Sequence, residues 1–194
     1  MTLSAVLPAS FAIILGGWRE VMPSVVAMAG LPGTGKSTLA RALALELGGV
    51  VLDKDVIRAA LFPPKLIEYS CVQDDFCMSV LFQTAGYLVS NKKARWVFID
   101  GRPFTKASQI DLLSAEAASL GCALKIVLCT CSDSAAKDRL SRQHIAANRD
   151  YALYQKLQKE FEPIKPPHFV ANTDQPLPAV IAASLAYLRA PVSH

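Results

Sequence analysis

Gly30-Leu31-Pro32-Gly33-Thr34-Gly35-Lys36-Ser37 is the stretch that decides how this chain folds. It satisfies GxxxxGK[ST], and what flanks it on either side fits. Residues 24–29 are a short apolar run that predicts a buried strand, and in residues 36–47 Leu39, Leu43 and Leu47 recur at helical spacing before Gly48 and Gly49. A strand that feeds a glycine-rich turn and then a helix is a phosphate cradle. Gly30, Gly33 and Gly35 let successive backbone N–H groups turn inward, and the helix N-terminus adds the positive end of its dipole. Within that cradle Lys36 reaches the β- and γ-phosphates, Ser37 puts a hydroxyl on Mg²⁺, Thr38 stands beside the α-phosphate, and Thr34 belongs to the nucleotide-binding loop. The expected ligand is a nucleoside triphosphate.

Outward from this loop the chain alternates strand and helix signals. Strands are expected at 50–52, 96–99, 124–129 and 169–171, and helices at 56–62, 72–90, 107–120, 135–143, 151–161 and 178–188. With the first strand this makes five strands separated by helices, the pattern of an α/β three-layer sandwich with a parallel sheet covered on both faces. Residues 22–190 then form a single domain. Residues 1–21 are read as a weakly ordered extension, with Met22 a second candidate start. The apolar run at 11–17 is shorter than the roughly 20 residues a membrane span needs, and no Lys or Arg precedes it as a secretory signal requires.

Composition narrows the function classes. A chain of 194 residues that is 52% hydrophobic and 19% charged is no disordered segment, and 20 Lys and Arg against 16 Asp and Glu leave only +4. That excess suits an anionic ligand, and no basic, aromatic-rich groove points to a polynucleotide. Five cysteines without paired spacing read as reduced thiols of a cytoplasmic protein, with no metal on sulfur. A guanine-specific NKxD is missing, because Asn91-Lys92-Lys93-Ala94 lacks the Asp. Asp100 ends the third strand, where it suits Mg²⁺, but Gly101 and Arg102 follow it in place of a water-activating Glu. A turn cap is the other reading of Asp100.

The segment Leu52-Asp53-Lys54-Asp55-Val56-Ile57-Arg58 emerges at the same sheet edge as the phosphate loop. Here the sequence resembles the P-loop kinases of the zeta-toxin, gluconate-kinase and polynucleotide 5′-kinase group, within the wider AAA-type ATP-binding proteins. The resemblance implies a nucleoside-kinase-like fold with strand order 2-3-1-4-5 and a helical lid over about residues 135–160. It implies ATP and Mg²⁺ as cofactors, and Asp55 as the base for an attacking hydroxyl with Arg58 as its companion on the substrate. Asp53 is an alternative base, and a helix cap is the other role open to Asp55.

Phosphoryl transfer also needs cations on the moving phosphoryl group. Arg139 and Arg142 share a helix face, Arg149 follows the small residues Ala146-Ala147-Asn148, and the stretch resembles the arginine-bearing lid of the same kinases. Arg142 and Arg149 are assigned to catalysis and Arg139 to the nucleotide. The resemblance also implies an adenine-contacting loop at Thr173 and Asp174, for which a helix cap is the competing role. Asp74 and Arg102 are candidates for the acceptor. The expected activity is transfer of the γ-phosphate of ATP to a hydroxyl of a small metabolite, a sugar, polyol or similar. The alternatives are a nucleotide-binding switch or slow ATPase, and a nucleic-acid or nucleotide-sugar kinase of the zeta-toxin kind.

Overall fold

The computed structural model describes residues 22–141 and 150–191. Arg142, Arg149 and the extension at 1–21 lie outside the described residues. Five strands form one parallel sheet: β1 (Ser24–Ala29), β2 (Val50–Asp53), β3 (Trp96–Asp100), β4 (Ala123–Thr130) and β5 (Phe169–Asn172), in the order β2-β3-β1-β4-β5. The order inferred from the resemblance is the one observed. The strand that feeds the phosphate loop is therefore central, paired with β3 through Val25 and Val97 and with β4 through Val25 and Leu124.

β1 is buried along its whole length, and its period of two divides it between two cores. Val25, Ala27 and Ala29 face one layer with Ile99, Leu81, Ile110 and Leu113, while Val26 and Met28 face the other with Leu39, Leu43, Phe98 and Leu188. Helices α3 (Cys71–Ser90) and α4 (Ala107–Ser119) cover the first face. Helices α1 (Lys36–Leu47) and α7 (Leu177–Arg189) cover the second. Leu39 and Leu43 are fully buried, each contributing about 1.5–3 kcal/mol of hydrophobic stabilisation. The remaining helices, α2 (Lys54–Leu61), α5 (Asp133–Leu140) and α6 (Tyr151–Glu160), crowd the carboxyl edge of the sheet.

Two helix starts differ from expectation for one physical reason. α2 begins at Lys54 instead of residue 56, because the carboxylate of Asp53 at the strand end accepts a hydrogen bond from the Asp55 N–H at 2.9 Å. α5 begins at Asp133 instead of residue 135, capped by Ser132, whose hydroxyl accepts from the Ala135 N–H at 3.4 Å. In both, a short polar side chain just after a strand ends lets the next residues enter the first turn.

α6 is pinned at both ends across the sheet edge. At its start the Tyr154 hydroxyl donates to Asp133 at 2.7 Å, and the Tyr151 and Tyr154 rings stack 5.4 Å apart. Beyond its end, Glu162 accepts the Ala107 N–H at 2.8 Å, at the open N-terminus of α4. Among the described residues no helix is long and apolar enough to cross a membrane.

Candidate active site

The phosphate loop has the backbone its glycines predict. Gly30, Gly33 and Gly35 have φ of 126°, 78° and 82°, a region L side chains rarely adopt. Gly30 is also closed by sterics, since a Cβ there would lie 2.3 Å from the Cys129 carbonyl oxygen. Inside the loop the Lys36 ammonium donates to the Leu31 carbonyl at 2.7 Å, and the Thr34 hydroxyl donates to the same oxygen at 2.7 Å. Both side chains are buried at the start of α1.

Asp100 ends β3 in register with Asp53 on β2. It is 1% exposed, and neither carboxylate oxygen has a hydrogen-bond partner among the described residues. A buried carboxylate without a partner costs several kcal/mol unless a cation compensates it. A capping role for Asp100 would satisfy one oxygen; this geometry satisfies neither. Together with Ser37 at the loop's end, it fits the one or two protein ligands Mg²⁺ takes when phosphates and water supply the rest. No cluster of three or more His, Cys, Asp or Glu side chains suited to a metal occurs among the described residues.

The cysteines stand apart from this chemistry. Cys129 is buried behind the loop, and burial pushes its thiol up to about 12. Cys131 lies beside the Gly33 carbonyl, and its thiol is raised as well, mainly by burial.

Beside the loop lies a cleft of about 310 Å³ that brings together Lys36, Asp55, Arg58, Asp74 and Arg102. Asp55 is 7% exposed, and the cap of α2 is Asp53. Its Oδ1 accepts from Arg58 Nη1 at 2.7 Å and lies 3.7 Å from Lys54 Nζ. Lys54 and Arg58 both reach on to Asp74, Lys54 at 2.8 Å and Arg58 in a close ion pair. Two cations and two carboxylates thus form one buried network on the cleft wall. Arg102 pairs with Asp75 at 2.8 Å. Its loop is held by Phe104, 1% exposed with φ 55°, and by the Pro103 carbonyl, which accepts the Gly30 N–H at 3.0 Å. The loop after β3 and the phosphate loop are therefore joined directly.

Arg139 sits on the other flank of the phosphate loop. Its guanidinium donates to the Gly33 carbonyl at 3.3 Å and to the Thr173 hydroxyl and carbonyl at 2.9 Å each. The Thr173 hydroxyl lies within 3.0 Å of the Thr34 carbonyl. Asp174 accepts the Ser132 N–H at 2.7 Å, tying the turn after β5 to the start of α5. The cap read for this pair is not at α7, whose start carries no side-chain cap.

Three contributors escaped the sequence. Lys54 is buried inside the network, and Tyr69 lines the cleft with its ring 5.2 Å from the Arg58 guanidinium. α6 supplies a wall through Leu153, Lys156, Leu157 and Glu160. The i, i+3, i+4 spacing of that last set was the available signal.

The AAA domain family matches residues 25–164, which hold the phosphate loop, the ion network and Asp100. The chain belongs to the AAA domain family. Solved structures similar to it include three kinases. A gluconokinase from Sinorhizobium meliloti has 20% identity and a TM-score of 0.63, covering 88% of this chain and 93% of that one. A sugar kinase from Janibacter has 18% identity and a TM-score of 0.65, over 87% of this chain and 95% of that one. An APS kinase of Mycobacterium tuberculosis, in complex with AMPPNP and APS, has 16% identity and a TM-score of 0.60, over 88% and 100%. This AAA domain protein thus has the fold of the P-loop kinases. No curated protein matches it in sequence.

Proposed function

We propose that this protein is a kinase that transfers the γ-phosphate of ATP to a hydroxyl of a small metabolite, with Asp55 as the base. The observation that carries the reading is the position of Asp55. It is a buried carboxylate, relieved of capping by Asp53, lining one cleft with the phosphate-loop Lys36. Lys36 neutralises the β- and γ-phosphates from the cradle side. Arg58 fixes the orientation of the Asp55 carboxylate, whose task is to accept the proton of an acceptor hydroxyl as that oxygen attacks in line.

Ser37 and Asp100 would hold Mg²⁺, which supplies neutralisation of the phosphate oxygens. Arg139, Thr173 and Asp174 shape the nucleotide end, and Arg142 and Arg149 complete the charge on the transferring group from the lid. Arg58, Asp74 and Arg102 serve the acceptor. The five free thiols support a reducing compartment, the cytoplasm, as its location.

The test is ATP consumption with pooled sugars, polyols, nucleosides and 5′-hydroxyl oligonucleotides. Stimulation over the rate without acceptor supports the kinase. ATP binding with no stimulation by any pool supports a nucleotide switch, and stimulation by the oligonucleotides alone supports a nucleic-acid kinase.

A further inference from the structure

Cations outnumber carboxylates on the cleft wall. Lys36, Lys54, Arg58, Arg102, Lys106 and Lys156 line it, and the carboxylates of the lining are Asp55, Asp74 and Glu160. Lys36 belongs to the phosphates of the nucleotide by its place in the loop. Lys54 and Arg58 are taken up by the wall itself, Lys54 at 2.8 Å from Asp74 and Arg58 at 2.7 Å from Asp55. Arg102, Lys106 and Lys156 remain, and among the described residues Glu160 is the one lining carboxylate left to set against them. The cleft therefore keeps an excess of positive charge that the nucleotide cradle and the buried network do not use. It comes from two elements, the loop after β3 and α6.

The carboxylates that Arg102 and Lys106 do meet are wet and stand outside the lining. Arg102 pairs with Asp75, whose side chain is 60% exposed, and Lys106 lies 3.4 Å from Glu162, 47% exposed. Exposed pairs of this kind are worth about 0–1 kcal/mol, because water takes the place of either partner. An arriving anion can thus replace Asp75 or Glu162 at little cost. Replacing Asp55 is different: it is 7% exposed, and parting it from Arg58 would leave a buried carboxylate uncompensated. Arg102 is itself 7% exposed, so its charge acts on a ligand with little screening by water.

Resting on the kinase reading above, we infer that the acceptor is itself an anion, a hydroxylated small molecule bearing a carboxylate or phosphate group, and that Arg102, Lys106 and Lys156 hold that group while a hydroxyl meets Asp55. The cleft of about 310 Å³ suits a ligand of monosaccharide size. In the transfer, the acceptor oxygen bonds to the γ-phosphorus, the bond from that phosphorus to the ADP oxygen breaks, and the hydroxyl proton goes to Asp55. Arg102 and Lys156 are specificity-determining residues, acting from opposite elements on a group away from the reacting hydroxyl.

The experiment measures ATP consumption by the full chain with neutral sugars and polyols, each beside its carboxylate and its monophosphate. The expected result is kcat/KM at least about tenfold higher for an anionic acceptor than for its neutral counterpart. Preference for either anionic arm supports the inference and names the group. Arg102→Gln is expected to raise KM for the anionic acceptor about tenfold with KM for ATP nearly unchanged, and Lys156→Gln about threefold. Lys156 is exposed on α6, so its variant carries the test even if Arg102→Gln does not fold. Losses that fall equally on anionic and neutral acceptors would mean a structural role, and a rise in KM for ATP alone would give the excess charge to the nucleotide; either overturns the inference. A wild-type preference for neutral acceptors overturns it as well, while leaving the kinase reading standing. Stimulation by no compound in any arm removes both.

Discussion

The two halves of the cleft are built in opposite ways. The phosphate half is local: Gly30 to Ser37 are contiguous, their conformation is dictated by glycine at positive φ, and their nearest support is the β1 strand that precedes them. The other half, which the proposed function gives to the acceptor, is assembled from α2, Tyr69 and the start of α3, the loop after β3 and α6, and side-chain ion pairs hold it together. Backbone hydrogen-bond donors cannot be changed by substitution, whereas ion-pair partners can be exchanged one at a time. On the proposed function, phosphate chemistry would fall to the part held by backbone geometry, and substrate choice to the part held by exchangeable side chains.

The largest effect should come from breaking the phosphate half. Lys36→Ala is expected to lower ATP turnover at least about a hundredfold, because the ammonium acts on charge that develops in the transition state. Its thermal unfolding should stay cooperative and near wild type, as read by circular dichroism, since Lys36 packs against its own loop.

Asp100→Asn sharpens the same half by moving stability and activity in opposite directions. The unpartnered buried carboxylate destabilises the metal-free protein, so the isosteric amide should melt at higher temperature without Mg²⁺. The variant should also lose most of the further stabilisation that Mg²⁺ and ATP together give the wild type. Differential scanning calorimetry with and without both ligands reads the crossing.

The smallest effect is expected beside the other half of the cleft, where Lys106 on its wall pairs with Glu162. The Glu162 carboxylate caps α4 and pairs with Lys106, and the Ala107 N–H, followed by the Lys106 side chain, holds its carboxyl below the ordinary value of 4.5. A folded-state value below the unfolded one stabilises above about pH 4.5, and that contribution disappears as pH falls through the folded value. Glu162→Gln should therefore lower Tm by on the order of 1 °C near neutrality, with the difference shrinking as the pH approaches 4 and as salt is added. Melting curves across pH check it.

The difference between the halves also sets what the sequence could disclose. The phosphate loop and the parallel α/β layering were legible because a contiguous motif and alternating strand and helix signals carry them, and the strand order followed from the family resemblance. Asp55 was legible as a residue but ambiguous in role, since it qualified as base and as helix cap, and the folded strand end shows that Asp53, read as an alternative base, takes the capping task. Lys54 was hidden because its partner Asp74 lies 20 residues away, at the start of another helix. The spacing of Leu153, Lys156, Leu157 and Glu160 marks one face of α6, but that this face meets the cleft depends on Tyr154 reaching Asp133, a contact across 21 positions. Arg139 was read as a group for the nucleotide itself. In the fold it joins the Thr173 turn to the phosphate loop.

The central claim is that Asp55 accepts the acceptor's proton, and Asp55→Asn tests it most directly. The amide keeps the shape of the carboxylate and can still receive the Arg58 hydrogen bond, but it cannot take up the hydroxyl proton. Acceptor-dependent turnover should fall about two to four orders of magnitude, with ATP affinity by titration calorimetry nearly unchanged. Full acceptor-dependent turnover in that variant would contradict the account.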